Sequence, residues 1–435
     1  MDIPFTKHTL ANGLDVIVHE DHAVPIVAVN IWYHVGSKNE VPGRTGFAHL
    51  FEHLMFEGSE HHDAGYFQPL QAAGASLNGS TSADRTNYWE VVPSNALDLA
   101  LWMESDRMGY LLPALTEAKF ENQRDVVLNE RRQNYENRPY GLAGMAMVSA
   151  LYPAEHPYHW LTIGAAEDIS AARIDDVRQF FSTYYHPGNA SLALAGDIEA
   201  AAAIRLAEKY FSEIPGRSRA SRVVVPDTSR AAETRLVLED RVELPRVYFA
   251  WHTPALFTED DAELDLIGDV FANGKTSRLY KSLVYEQRIA TEVAASQNSR
   301  ELGSFFQVVA TAAPGRTLTE VERAIARELA RFSEGGPTAA EMERCLAQAE
   351  SHFLSRLQTV GGFGGKSDQL NAYNMYLGSP GFFAKDLERY RRASAEGLRL
   401  AAARWLTPES RVVLSVVPSG RLALALEHSS SVAVS

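Results

Sequence analysis

Two histidines and a glutamate stand close together in the sequence, in the order His49-Leu50-Phe51-Glu52-His53. If this segment is helical, the two imidazoles lie one turn apart on one face, with Cβ atoms roughly 5–6 Å from each other. Imidazoles at that separation can bind one Zn²⁺ ion. Glu52 lies beside them without needing to be a ligand, which is the position of a general base. The pattern predicts a hydrolytic metal site.

The sequence around the two histidines indicates a helix over residues 45–57. Its apolar residues recur at helical spacing and do not alternate. A catalytic zinc takes three protein ligands and leaves its fourth position open, so a third ligand must come from elsewhere. A second helix is predicted over residues 116–134, before Pro139 and Gly141 end it. Glu130 is the best candidate on that helix.

His53 and Glu130 are separated by residues 54–129, which are 76 residues. The chain therefore resembles the pitrilysin (M16) metallopeptidases, whose motif is H-x-x-E-H followed by 76 residues and a glutamate. Further landmarks of that family are Asn12-Gly13-Leu14, Phe56-Glu57-Gly58-Ser59, and Leu77-Asn78-Gly79-Ser80-Thr81-Ser82 followed by Thr86 and Tyr88.

The resemblance implies a zinc-dependent endopeptidase. One Zn²⁺ per chain would be bound by His49, His53 and Glu130, and Glu52 would be the catalytic base. An isolated H-x-x-E-H in a chain with 14 histidines also fits a solvated helix face. The position of Glu130 favours the metal site over that alternative.

In this family the segment around Asn78 is an edge strand that pairs with the substrate backbone. The resemblance therefore predicts substrate contacts from Asn78, Gly79, Ser80 and Thr81. The residues alone fit a β-hairpin turn at Asn78-Gly79 at least as well. The family often has a glutamate seven residues before the third ligand, where this chain has Gln123. Gln123 can hydrogen-bond a ligand or a water but cannot act as a base, so a supporting role is expected.

Composition limits the class of protein. A chain of 435 residues with 46% apolar and 22% charged residues is expected to form two or more globular domains. A net charge of −14 without a basic run argues against nucleic acid as a partner. No apolar run approaches the roughly 20 residues of a membrane helix. The single Cys345, on a helix predicted over residues 338–358, leaves no internal disulfide and is expected to be a buried apolar residue.

The location in the cell has two interpretations. The sequence enters its first strand at once and shows no signal peptide. This fits a cytoplasmic protein, or an exported protein whose signal has been removed. Because similar small bacterial M16 proteins are often exported, the resemblance favours the periplasm.

Two segments recur along the chain and predict a duplicated fold. Residues 16–34 are echoed by 236–252, and residues 186–194 by 406–414. The expected organisation is a metal-binding half at 1–215, a linker at 216–234 and a homologous half at 235–435. Strands followed by long helices in each half predict an α+β fold, with helices packed on a mainly antiparallel sheet.

The second half has no H-x-x-E-H motif and reads Leu264-Asp265-Leu266-Ile267-Gly268-Asp269-Val270-Phe271 at the corresponding place. In M16 enzymes this half supplies an arginine and a tyrosine, seven residues apart, that hold the substrate. Alignment on Leu283 and Ala290 puts Val284 and Thr291 at those positions. The sequence therefore predicts a heterodimer in which a paralogous subunit supplies the pair.

Three alternatives to the heterodimeric peptidase stay open. Tyr285 or Arg288 takes over the missing role in an active homodimer, or the chain is a non-catalytic structural or assembly subunit. The third is nucleotide binding at Gly274-Lys275-Thr276 or at Gly365-Lys366-Ser367. That is disfavoured because both lack the P-loop's first glycine. The glycine-rich residues 361–365 are expected to be a hinge or a flexible loop.

Overall fold

A computed structural model of the chain describes residues 2–221 and 223–434. The described strands are β1 (Thr6–Thr9), β2 (Asp15–Glu20), β3 (Ile26–Tyr33), β4 (Ser76–Thr81), β5 (Thr86–Pro93), β6 (Ala190–Gly196), β7 (Thr234–Asp240), β8 (Arg246–Thr253), β9 (Ala290–Asn298), β10 (Ser304–Ala312), β11 (Arg411–Pro418) and β12 (Ser430–Ser431). The α-helices are α1 (Phe47–Leu54), α2 (Phe67–Ala72), α3 (Leu97–Ala114), α4 (Glu117–Arg131), α5 (Ala143–Leu151), α6 (Ala166–Ala171), α7 (Ile174–Tyr184), α8 (Ala200–Phe211), α9 (Asp261–Ala272), α10 (Leu318–Gly335), α11 (Ala339–Arg356), α12 (Lys366–Leu377), α13 (Phe383–Arg392) and α14 (Ala395–Trp405).

The first sheet has the strand order β1-β2-β6-β3-β5-β4. Only the β2–β6 pair in it is parallel. Strand β4 is therefore an edge strand, and Asn78 and Gly79 lie inside it. The interpretation of Asn78-Gly79 as a hairpin turn is wrong, because the turn between β4 and β5 is made by Ser82–Arg85, where the Ser82 N–H donates to the Arg85 carbonyl at 2.8 Å.

The second sheet repeats the first. Its order is β12-β7-β11-β8-β10-β9, so β7, β11, β8, β10 and β9 match β2, β6, β3, β5 and β4 in turn. The β7–β11 pair is parallel like β2–β6. The two sequence echoes fall on these strands, since the first covers β2–β3 and β7–β8 and the second leads into β6 and β11. The α+β fold with two homologous halves is confirmed.

The chain forms two compact units that do not follow its sequence order. The first contains the residues up to Glu130, Leu161–Val224 and His352–Lys385; the second contains Arg131–Trp160, Val225–Ser351 and the residues from Asp386 onward. In the first unit α12 packs on β3 and β6, and in the second unit α5 packs on β8 and β11. Each unit thus takes one helical segment from the other half of the sequence. The boundaries 1–215, 216–234 and 235–435 describe the repeat and stay a prediction for the domains.

The predicted helices are present with adjusted ends. Helix α1 is shorter than residues 45–57 because Gly46, with φ of 87°, precedes its first turn. Helix α4 ends at Arg131, and a π-helical segment, Arg132–Glu136, continues it. Cys345 is buried on α11, as expected. Within residues 2–221 and 223–434, no helix is long and apolar enough to cross a membrane.

Candidate metal centre

Helix α1 is oriented by its N-terminus and by its apolar face. The Glu40 carboxylate accepts hydrogen bonds from the backbone N–H groups of Gly46 and Ala48 at 3.0 and 2.8 Å. A carboxylate at this position accepts from N–H groups that have no partner within the helix, and the positive end of the helix dipole stabilises its negative charge. Leu50 and Phe51 are completely buried in the first unit. The opposite side of α1 therefore carries the polar residues of the motif.

His49, His53 and Glu130 come together as predicted. The Nε2 atoms of His49 and His53 lie 3.8 and 3.4 Å from Oε2 of Glu130. The two rings are nearly perpendicular, at 88°, with centroids 4.9 Å apart. Glu130 reaches them from the last turn of α4. The ligand atoms of all three residues lie within 4.8 Å of one another.

This donor set fits a zinc ion. With Zn–N and Zn–O bonds of about 2.0–2.2 Å, the ligand atoms of a tetrahedral site lie about 3.3–3.6 Å apart. The distance of 3.4 Å from His53 to Glu130 lies within that range, and the distance of 3.8 Å from His49 to Glu130 lies slightly above it. Burial, together with the neighbouring His53, lowers the pKa of His49 to about 4. His49 is therefore neutral at pH 7, which is the form that binds a metal.

Glu52 stands beside these ligands and is held by the edge strand. Its Oε2 accepts a hydrogen bond of 2.7 Å from Oγ1 of Thr81, the last residue of β4. Burial raises the pKa of the Glu52 carboxyl, while the Thr81 hydroxyl opposes that shift. A carboxyl group whose pKa is raised toward neutrality is suited to accept and return a proton near pH 7. The contact between Thr81 and Glu52 was not foreseen from the sequence.

The four predicted substrate contacts all lie on β4. Asn78 accepts a hydrogen bond of 2.8 Å from the Gly79 N–H, and Ser80 donates one of 2.7 Å to Asn87. A Cβ at Gly79 would come within 3.1 Å of Phe56 and Tyr88, so this strand lies close against the segment that follows α1. The substrate role of β4 stays a prediction.

Gln123 lies on α4 and is nearly buried. Its Nε2 donates a hydrogen bond to the carboxylate of Glu57, four residues after His53. Gln123 therefore contacts a neighbour of the ligands. Among the hydrogen bonds of the described residues, it makes none to a ligand itself.

The second unit differs at the matching place. Helix α9 carries Asp265 and Asp269 there. Among the described residues, the only other candidate metal cluster is the exposed group of Glu20, His22 and Glu199, in the first unit. Val284 packs against the apolar core of the second unit, and Thr291 is exposed at the start of β9. As a valine and a threonine, they offer neither a guanidinium nor a phenol.

Two α+β units of matching topology, of which only the first has a His–His–Glu cluster among the described residues, are the features expected of the two-half M16 class. Sequence profiles agree with this class. Residues 15–156 match "Insulinase (Peptidase family M16)" and residues 172–349 match "Peptidase M16 inactive domain".

The chain is 30% identical over 356 residues to the "Zinc protease PqqE" of Helicobacter pylori, covering 81% of this chain and 80% of that protein. It belongs to peptidase family M16.

Solved structures show the same fold. A protease from Helicobacter pylori superimposes with a TM-score of 0.87 at 26% identity, over 96% of this chain and 100% of the other. The periplasmic protease PqqL from Escherichia coli gives a TM-score of 0.78 at 18% identity, over 98% of this chain and 50% of PqqL.

Proposed function

We propose that this protein is a zinc-dependent endopeptidase in which His49, His53 and Glu130 hold the metal and Glu52 is the general base. The convergence of the three ligand atoms within 4.8 Å, beside a carboxyl group, carries the proposal. A zinc ion at this position would supply Lewis acidity to the scissile carbonyl. The names of related zinc proteases support the same reading.

The chain's own residues perform the remaining steps. The free edge of β4 pairs with the substrate backbone and fixes the scissile bond in front of the ligands. Glu52 takes a proton from the attacking water and delivers it to the leaving amine. The Thr81 hydroxyl keeps the Glu52 carboxylate directed at the reacting atoms.

The complete enzyme is a heterodimer in this proposal. Because Val284 and Thr291 replace the expected arginine and tyrosine, a paralogous M16-like subunit supplies that pair. Tyr285 is 73% exposed, and Arg288 is exposed with a positive φ of 52°. Because both side chains are accessible and offer a phenol and a guanidinium, the second candidate is an active homodimer in which they replace the missing pair. The match of residues 172–349 to an inactive-domain profile supports the third candidate, a non-catalytic structural subunit. The periplasmic location of PqqL supports export to the periplasm.

The test is cleavage of a quenched peptide library by the zinc-loaded chain, alone and mixed with a paralogous M16-like protein. Glu52→Gln is the blank, and Glu121→Gln, an exposed change on α4, is its matched control. Activity only in the mixture, lost in Glu52→Gln and retained in Glu121→Gln, is expected. Full activity alone would favour the homodimer, and zinc binding without any cleavage would favour the structural subunit.

A further inference from the structure

Arg85 is a cation fixed beside the edge strand of the first unit. Its Nη1 donates hydrogen bonds to the carbonyl oxygen and the hydroxyl of Ser80, the former at 2.9 Å. Its guanidinium lies over the Trp32 ring, 5.0 Å from the centroid. Ser80 precedes Thr81, whose hydroxyl holds Glu52. Arg85 therefore contacts Ser80, the residue that precedes Thr81 on β4, and Thr81 orients the proposed base.

Burial raises the pKa of the Glu52 carboxyl, and the positive charge of Arg85 is among the groups that oppose this rise. Two other nearby carboxylates, Asp84 and Asp368, are held by other groups. Asp84 lies 3.6 Å from the Lys38 ammonium. Asp368 accepts hydrogen bonds from Trp32, Gly364, Asn30 and Asn87 at 2.8–3.2 Å. Among the ion pairs of the described residues, none includes Arg85. In a chain with a net charge of −14, a guanidinium that makes no direct ion pair beside a proposed substrate strand can bind a further carboxylate.

The turn that carries Arg85 is rigidly held. The N–H groups of Ser37 and Lys38 donate to the carbonyls of Ser82 and Ala83 at 3.2 and 2.9 Å. The Lys38 ammonium also donates to the Asp84 carbonyl at 3.0 Å. A Cβ at Gly36 would lie 2.5 Å from the Ala83 oxygen, so only glycine permits this approach. Arg85 is therefore positioned before any ligand binds, which lowers the entropic cost of binding.

The strand register gives the face on which Arg85 acts. Ser80 pairs with Asn87 and Asn87 pairs with Trp32, so these side chains share one face of the first sheet. A peptide added beside β4 directs alternate side chains to that face. The side chain next to Ser80 would meet the guanidinium, whose planar N–H groups match a carboxylate.

We propose that Arg85 is a specificity-determining residue that binds a carboxylate of the peptide lying along β4. Acidic peptides are then the preferred substrate class, despite the acidic balance of the chain. The inference rests on the proposed peptidase function. The carboxylate belongs to an Asp or Glu side chain or to the C-terminus of the peptide.

The experiment moves one glutamate along an otherwise neutral, C-terminally amidated quenched peptide, with glutamine at the same position as the reference. One position is expected to raise kcat/KM about tenfold over its glutamine partner. In Arg85→Gln this ratio should fall to about 1, and in Arg85→Glu a lysine peptide should be preferred. Arg205→Gln, an exposed change on α8, removes the same charge elsewhere and should keep the wild-type ratio.

Two further arms complete the test. Peptides with a free C-terminus identify the terminal carboxylate as the source if only they show the Arg85-dependent preference. Binding of the same labelled peptides to zinc-loaded Glu52→Gln, followed by fluorescence anisotropy, does not require turnover. Carboxylate-dependent binding without wild-type cleavage would overturn the peptidase function and leave Arg85 as a binding residue. An unchanged ratio in Arg85→Gln, or no preference in any arm, would overturn the role of Arg85.

Discussion

Thr81 shows how a residue on the edge strand acts on the motif in α1. The sequence predicts Thr81 as a substrate contact, which stays a prediction, and in the structure its hydroxyl donates to Glu52. The motif residues themselves were predictable because helical spacing and ligand chemistry act locally. The Thr81 contact was not, because it depends on how the end of β4 meets α1 in the folded unit.

Replacing Thr81 by valine removes the donor to Glu52. Because that hydrogen bond lowers the pKa of the carboxyl, its loss raises the pKa further. A base must be ionised, so the acid limb of the pH profile of kcat/KM should move to higher pH. Activity on the acid limb should fall about tenfold or more and recover in part at higher pH. Thr81→Ser, which keeps the donor, should retain the wild-type profile; a parallel loss at all pH values would argue against this role.

Glu130 is the ligand that comes from a separate helix. In Glu130→Ala only the two imidazoles remain, so zinc affinity should fall by at least about 100-fold, more than loss of an outer hydrogen bond costs. Metal analysis after dialysis against a zinc buffer measures this directly. Glu121→Ala, an exposed residue on α4, should keep one zinc per chain. Full zinc in Glu130→Ala would refute the ligand assignment.

At the scale of elements, α1 and α4 followed from apolar spacing and helix-ending residues. The placement of α12 did not, because it carries a buried polar network that produces no apolar periodicity. Asn371 and Asn374 of α12 are buried, and the Ser191 hydroxyl of β6 donates to Asn371 at 2.7 Å. Gly361, at the start of the glycine segment before α12, is also packed, since a Cβ there would lie 2.5 Å from Val91.

Helix α3 joins the first sheet through a buried charge. Arg107 is 1% exposed and its Nε donates to the completely buried Glu104 at 2.9 Å. Its guanidinium lies 4.0 and 4.2 Å from the ring centroids of Tyr66 and Tyr88. Burial, followed by the neighbouring Glu104, raises the pKa of the Glu90 carboxyl.

Arg107→Met should therefore lower the free energy of unfolding by about 3–5 kcal/mol, because it leaves the Glu104 charge buried without its partner. Chemical denaturation measures the change. The double variant Glu104→Leu/Arg107→Met removes both charges and should recover part of the loss. Equal stability of the single and double variants would show that lost packing, and not an unpaired charge, is the cause.

At the scale of the whole molecule, the duplicated topology was predictable because two short echoes mark the central strands of each sheet. The composition of the two units was not. Residues 131–160 belong to the second unit although they follow Glu130 directly. Nothing in their local pattern shows which sheet they cover, since α5 is apolar on either side.

His156 lies in that transferred segment and predicts how stability changes with pH. It is 1% exposed, and its Nδ1 accepts a hydrogen bond of 3.0 Å from the Tyr158 N–H. Burial, followed by the charges of His252 and Arg300, lowers the pKa of His156 to about 4 from 6.5. Between these values the unfolded chain binds a proton that the folded chain does not. The neutral form therefore contributes stability above pH 6.5, and that contribution is lost as the pH falls toward 4.

The contribution of His156 is up to about 3 kcal/mol. Asparagine can keep an acceptor for the Tyr158 N–H but does not titrate, so His156→Asn should flatten the fall in the thermal midpoint between pH 6.5 and 4. The exposed His428→Asn removes a histidine without touching this segment and should follow the wild-type curve. If His156→Asn keeps the wild-type slope, other groups dominate acid unfolding and His156 is only a packing residue.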